Sequence, residues 1–408
     1  MWMAACGGGH SSSSGSGSGI GTSTNNVQTI TVDQGPEPST FISTNVAYTN
    51  VTICVPGTST CQTIDHVQVD TGSEGLRLLQ GVVTLNLPQE TVGGNQLAEC
   101  LVFADGYVWG TVASADITIS GEKASSAPVQ IIIPSSASPG VPTSCSNQNP
   151  TGGAGNEGGS VMSLGANGIL GVGPFQNDCG PACTSQNSQI PDVYYSCPSG
   201  GCNPTYVTLS QQVPNPVSLF STDNNGVLIQ LPSVPNGGSP TATGSMIFGI
   251  GTQSNNALGN ATIYQIPDSG NNAGDFVTTF NGQSYPQSFV DSGSNGLFFL
   301  DSNTTGIPTC TGNSSASSWY CPTTSPDGLS ATNQGQSTAG PVGNAVQVNF
   351  TIENANSLFN TSNSAFSTLS GPFSGAFDWG LSFFYGRNVY TAIDTMSTPA
   401  GAGPYFAY

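Results

Sequence analysis

Two acidic motifs carry the residue types that can do chemistry. The run Val69-Asp70-Thr71-Gly72-Ser73-Glu74-Gly75-Leu76-Arg77-Leu78-Leu79 repeats as Val290-Asp291-Ser292-Gly293-Ser294-Asn295-Gly296-Leu297-Phe298-Phe299-Leu300, 221 residues later, with seven of eleven positions identical. Each motif follows an apolar strand end, so each Asp sits on a loop just leaving a core. Gly72 and Gly293 lack a Cβ and let two backbones approach closely. Thr71 and Ser292 supply hydroxyls that can cross-link the two loops. Ser73 and Ser294 can donate to the outer carboxylate oxygens. Brought together by a pseudo-twofold axis, Asp70 and Asp291 would share one proton and titrate in two coupled steps. One carboxyl then acts as base on a bound water while the other protonates a carbonyl. That is amide hydrolysis with no His, no metal and no covalent intermediate.

Other chemistries lack their parts. The chain has two His, His10 and His66, and one Lys, Lys123, which lies in no Gly-rich phosphate loop. A His-rich zinc site cannot be built, and nucleotide hydrolysis by the usual motifs is excluded. No cofactor and no metal are expected. Three basic and 22 acidic residues give a net charge of −19, so nucleic acid is excluded as a partner. No apolar run approaches the ~18 residues of a spanning helix. A pI near 4.1 suits an acidic environment; a general solubility adaptation accounts for it equally. His66 is read as a strand residue rather than a catalytic one.

The elements that must position the two motifs are strands. Among the 408 residues are 54 Gly and 28 Pro, which fits many short strands joined by tight turns. Segments such as Val27–Val32, Thr63–Val69, Val129–Ile133, Gly226–Leu231, Ser245–Gly249 and Val346–Ile352 alternate or run apolar between turn residues. Short helices are expected near Pro204–Gln212 and Asn356–Ser367. The repeat implies two homologous lobes, 27–222 with Asp70 and 223–408 with Asp291. The fold class expected is all-β and bilobal, with pseudo-twofold symmetry and the site in a cleft between lobes.

Eleven Cys include the close pairs Cys54/Cys61, Cys179/Cys183, Cys197/Cys202 and Cys310/Cys321. Cys179–Cys183 and Cys197–Cys202 have the spacing of a four-thiolate zinc site, but close pairs in loops are also the pattern of local disulfides. An oxidising compartment is the reading adopted; the connectivity stays open. Cys6 follows Met3-Ala4-Ala5 and precedes a Gly/Ser tract, which resembles a bacterial lipobox. Residues 1–26 are therefore expected to be a lipid-anchored start and flexible tether, with the protein secreted or held at an outer membrane. The charged and apolar regions of a signal peptide do not precede Cys6. A monomer is expected.

Asp70-Thr71-Gly72-Ser73 and Asp291-Ser292-Gly293-Ser294 resemble the two catalytic motifs of pepsin-like aspartic peptidases. Further segments fall in the same order: Asn167-Gly168-Ile169-Leu170-Gly171-Val172-Gly173, Met246-Ile247-Phe248-Gly249, and Trp379 through Asp394. The resemblance spans residues 45–394 and implies endopeptidase activity at acidic pH on extracytoplasmic proteins or peptides. The alternative is a non-catalytic peptide-, glycan- or enzyme-binding protein on the same scaffold. The chain departs from the family at the flap, where the matching stretch is Phe103-Ala104-Asp105-Gly106-Tyr107-Val108-Trp109-Gly110. Phe103 takes the place of the flap Tyr; Tyr107 or Trp109 would substitute for it in a shifted register. Arg77 replaces the family's aromatic residue. It is read either as a structural partner of Glu74 or Asp105, or as a charge lining the cleft. The second apolar-apolar-Gly segment is read as Gly380-Leu381-Ser382, with its Gly displaced.

Overall fold

The computed structural model describes residues 25–104, 106–148, 156–184, 190–311, 316–325 and 327–408. Cys6, His10, most of the proposed tether and Asp105 lie outside them. The regular structure of the described chain is almost all strand, arranged as a 17-stranded sheet, a seven-stranded sheet and one small ribbon. Of the two expected helical stretches, one is a 3-10 turn over Leu209–Gln211 and the other a short helix over Ala355–Phe359.

Six strands position the acidic motifs. They are β1 (Cys61–Asp70), β2 (Glu74–Leu79), β3 (Gly168–Val172), β4 (Gln283–Val290), β5 (Leu297–Leu300) and β6 (Phe373–Trp379). In β1 the buried positions change phase, from Ile64 to Val67 and Val69. A bulge produces the change: His66 has φ 45°, and Val67 and Ile64 face Thr49 and Val51 of the neighbouring strand. His66 lies edge-on to Tyr48 at 5.1 Å between ring centroids, with Asp33 at 3.6 Å. The bulge delivers Val69 inward and Asp70 to the strand end. Every residue of β2 and β3 is buried, as expected for strands covered on both faces.

The two motifs share one strand arrangement. β3 runs parallel to β1 and antiparallel to β2, so Leu170 faces both Val69 and Leu76. β6 runs parallel to β4 and antiparallel to β5, so Trp379 faces both Val290 and Leu297. The apolar residues at these positions belong to one continuous core, in which Phe299, Phe377 and Trp379 stack at 5.2 and 5.4 Å.

The first and last parts of the chain are tied together by backbone. Val27–Val32 pairs with Ala242–Phe248, which also pairs with Gly226–Gln230 and, through it, with Asn388–Ala392. Buried Asn45 adds a side-chain tie: its amide exchanges hydrogen bonds with Phe366 at 2.7 and 2.6 Å and accepts one from Tyr385. Five disulfides are formed, four by the close pairs and the fifth by Cys100–Cys145. Five disulfides fit an oxidising, extracytoplasmic compartment. No helix among the described residues is long and apolar enough to cross a membrane.

Candidate active site

Strands β1 and β4 end at one point. Their loops are locked by a reciprocal cross of hydroxyls. The Thr71 amide donates to Ser292 Oγ at 3.1 Å, and Ser292 Oγ donates to the Val69 carbonyl at 2.8 Å. In return the Ser292 amide donates to Thr71 Oγ1 at 2.9 Å, and Thr71 Oγ1 donates to the Val290 carbonyl at 3.3 Å. All four bonds are buried, and each contributes about 1 kcal/mol, with a penalty of similar size or more if one partner is deleted. Gln68 adds a fifth cross-link, donating to the Gly293 carbonyl at 2.7 Å.

The cross holds the two carboxyls against each other's loop. A Cβ on Gly72 would stand 2.6 Å from the Asp291 carboxyl, and one on Gly293 would stand 2.5 Å from Asp70 Oδ1. Only glycine leaves that space. Each carboxyl is held in the same way. The Gly72 amide donates to Asp70 Oδ1 at 2.8 Å and Ser73 Oγ donates to Oδ2. The Gly293 amide donates to Asp291 Oδ1 and the Ser294 hydroxyl to Oδ2, both at 2.7 Å. Asp70 is 6% exposed, and Asp291 is partly buried. Burial, the Asp70 charge and direct contact with the Asp70 carboxyl push Asp291 well above the usual carboxyl range, against the hydrogen bonds from Ser294 and Gly293. Two carboxyls in contact cannot both ionise cheaply, so the pair carries one proton through the acid range. An acid and a base side by side can activate water and protonate a carbonyl in one step.

A protein-family profile described as "Protein of unknown function (DUF3443)" matches residues 22–408. The chain belongs to that family. A search of curated proteins finds no match. Among solved structures, the crystal structure of an aspartic proteinase from Irpex lacteus is similar at 15% identity, with a TM-score of 0.54 over 93% of this chain and 96% of that one. The likeness establishes the fold as pepsin-like.

Three expectations about the surroundings are corrected. First, Arg77 lines no cleft. It is fully buried, with Nη2 2.6 Å from Glu99 Oε1 and 3.1 Å from Asp178 Oδ2, while Nη1 donates to the Glu74 carbonyl. Burial alone would lower its pKa, but Glu99 and Asp178 outweigh burial and hold it above the ordinary value. Asp178 is held well above the usual range by burial and then by the Glu99 charge, against the pull of Arg77. Tyr194 closes the network, 2.8 Å from Asp178 and accepting from the Val213 amide at 2.7 Å. Sequence gave no sign of Glu99 or Asp178 as partners, since three separate segments meet only in the fold.

Second, Tyr107 and Trp109 lie in the paired strand that follows the hairpin, opposite Val102 and Cys100. Both are buried in a satellite cluster with Cys100, Cys145 and Tyr195, and the Trp109 indole donates to the Pro139 carbonyl at 2.8 Å. Phe103 turns the hairpin by donating its amide to the Gly106 carbonyl at 2.8 Å, and its ring packs near Leu79, Val108 and Ile132. Gly106 is buried. Third, the second Gly is not displaced. The Asp291 amide donates to the Trp379 carbonyl at 3.2 Å, so Gly380 lies beside Asp291 as Gly171 lies beside Asp70. A Cβ at Gly380 would meet the Gly296 carbonyl at 2.0 Å. The segment is therefore Asp378-Trp379-Gly380. The sole acid in its apolar run was the available signal for this third carboxyl.

Two outcomes follow for stability. Replacing Arg77 by Leu strands two buried acids and is expected to cost about 3–5 kcal/mol, measured by denaturant unfolding at pH 7. A loss below 1 kcal/mol would contradict the buried network. The second concerns pH. Burial raises Glu74 from 4.5 to about 8 and Asp275 from 3.8 to about 7. The folded chain keeps protons there that the unfolded chain releases. That stabilisation is complete below the unfolded values and is lost as pH rises through the folded ones, by up to about 1.4 kcal/mol per pH unit for each proton. Unfolding midpoints are expected to fall between pH 4 and pH 8; a rising midpoint would contradict it.

Proposed function

We propose that the protein is an aspartic endopeptidase that hydrolyses peptide bonds of extracytoplasmic proteins in acid. The observation that carries this reading is the paired carboxyls of Asp70 and Asp291, each with the same two donors and each against the other's glycine. A water between them loses a proton to the Asp70 carboxylate as its oxygen attacks the scissile carbonyl. Asp291, the proton holder, gives its proton to the carbonyl oxygen. The resulting diol collapses with proton transfer to the leaving amine. Thr71, Gly72, Ser73, Ser292, Gly293 and Ser294 keep both carboxyls in place, so little reorganisation accompanies the reaction.

On this reading 27–222 and 223–408 are two lobes that each bring one acid, and the hairpin at Phe103–Gly106 is the flap. It carries no phenol hydroxyl at Phe103, and Arg77 anchors the strand beneath it through Glu99. Closure therefore rests on apolar packing. We place the protein outside the cytoplasm, tethered through lipidated Cys6, acting as a monomer on protein or peptide substrates and not on nucleic acid.

The test is cleavage of an unfolded protein between about pH 3 and pH 7, with wild type beside Asp70→Asn and Asp291→Asn. Each substitution removes one half of the acid–base pair, and each is expected to lower the rate by about 10³-fold or more. A folded wild type with no cleavage at any pH would overturn the reading and favour a binding protein on this scaffold. Equal cleavage by either variant would overturn the assignment of the pair.

A further inference from the structure

One cation of this acidic chain has no acid. Of the three basic residues, Arg77 is held by Glu99 and Asp178, and Lys123 lies 2.9 Å from Asp116. Arg387 meets no carboxylate among the described residues, although the chain carries 22 acids. Its Nη1 donates to the Phe383 carbonyl at 2.7 Å and its Nη2 to the Asn349 carbonyl at 3.1 Å. The guanidinium lies over the Phe383 ring, 4.4 Å from the centroid, which holds it flat. A guanidinium has five N–H donors. The other three of Arg387 meet no partner among the described residues. A partly buried cation without a counter-charge is costly to keep, and a bound anion relieves that cost.

Arg387 stands in the wall of a cavity of about 230 Å³, and no residue lining that cavity is acidic. Its walls are largely polar, with hydroxyls and amides from residues such as Ser233, Asn236 and Thr351. Two lining residues are fixed by the Asn45 tie. Tyr385 donates to Asn45 Oδ1 at 3.0 Å, and Ser382 Oγ accepts from Asn45 Nδ2 at 3.1 Å. That wall is therefore formed before any ligand arrives. One acid lies behind another lining residue: Thr368 donates to Glu353 Oε2 at 2.6 Å, and the Gly237 amide donates to the same oxygen at 2.7 Å. Glu353 is thus engaged by its own donors and does not pair with Arg387.

The ligand chemistry follows from charge, shape and size. An Arg fork takes a carboxylate through two N–H···O bonds. The cavity has the volume of about seven waters, so there is room for a body behind the carboxylate. Hydroxyl and amide walls suit a body that is itself hydroxylated. We propose that this cavity binds a small hydroxylated carboxylate of sugar-acid type, with Arg387 as its anchor. Neither Asp70 nor Asp291 lines the cavity. The site stands whether or not the protein cleaves peptides.

The test is calorimetric titration of the full chain at about pH 6 with glucuronate, glucose and sulfate. Glucuronate is expected to bind one site per chain with a Kd on the order of 1 mM. Glucose has a similar body without the charge and is expected to bind about tenfold more weakly or not at all. Sulfate has the charge without the body and is expected to bind about fivefold more weakly. Arg387→Met keeps the apolar stem, removes the fork, and is expected to weaken glucuronate binding about tenfold or more. Should that variant not fold, Asn236→Trp fills the exposed edge of the cavity with Arg387 intact, and the same loss is expected. Glucuronate binding that the folded variants retain would overturn the proposal, as would no saturable binding up to about 50 mM. Sulfate binding as tightly as glucuronate would mean that the site reads charge alone, and would overturn the assignment to a hydroxylated carboxylate.

Discussion

Two acids do not settle into contact in a low-dielectric place unless something else holds them there. In this protein that something is the cross of Thr71 and Ser292, in which each hydroxyl accepts from the opposite amide and donates to the opposite carbonyl. The cross is worth a few kcal/mol. Its geometry requires two strands that end together. It also requires two glycines that leave room for a facing carboxyl. The strand beneath each acid, β3 or β6, fixes the height at which its loop leaves the sheet.

Charge is handled differently in the two halves. A cation lies beneath the first acid, but Glu99 and Asp178 hold it, so it does not reach the carboxyl pair. Beneath the second acid lies an uncompensated carboxyl, Asp378. The backbone symmetry is therefore closer than the electrostatic symmetry. Burial and the Asp70 charge favour protonation on the Asp291 side. The many buried carboxyls elsewhere, Glu74 and Asp275 among them, pull in the same direction as the net charge of −19. Both carboxyls make the folded chain more stable in acid than at neutral pH.

Much of this was legible in the sequence, for physical reasons that differ by element. The all-β fold follows from period-two patterning and turn residues. The meeting of the two loops follows from an internal repeat, which states twice that the same backbone is needed. Four disulfides join close neighbours in sequence, whereas Cys100–Cys145 spans 45 residues and depends on how the chain returns. The partners of Arg77 were hidden for the same reason: residues 77, 99 and 178 share no local pattern. The place of Gly380 is obscured in the sequence because the chain has Asp-Trp-Gly there and not an apolar-apolar-Gly run. Register, set by the pairing of Trp379 with Val290, resolves what the pattern obscured. Tyr107 and Trp109 look like lid residues in sequence. Their burial comes from a satellite core built by the Cys100–Cys145 loop and Tyr195.

The central claim is that two carboxyls sharing one proton do the chemistry. It is tested most directly by the pH dependence of kcat/KM for cleavage of an unfolded protein. The account predicts a bell, with an acid limb where the pair gains its second proton and an alkaline limb where it loses its only one, both belonging to the pair as a unit. A rate that rises steadily towards neutral pH and stays high, the mark of a single base with no paired acid, would contradict it.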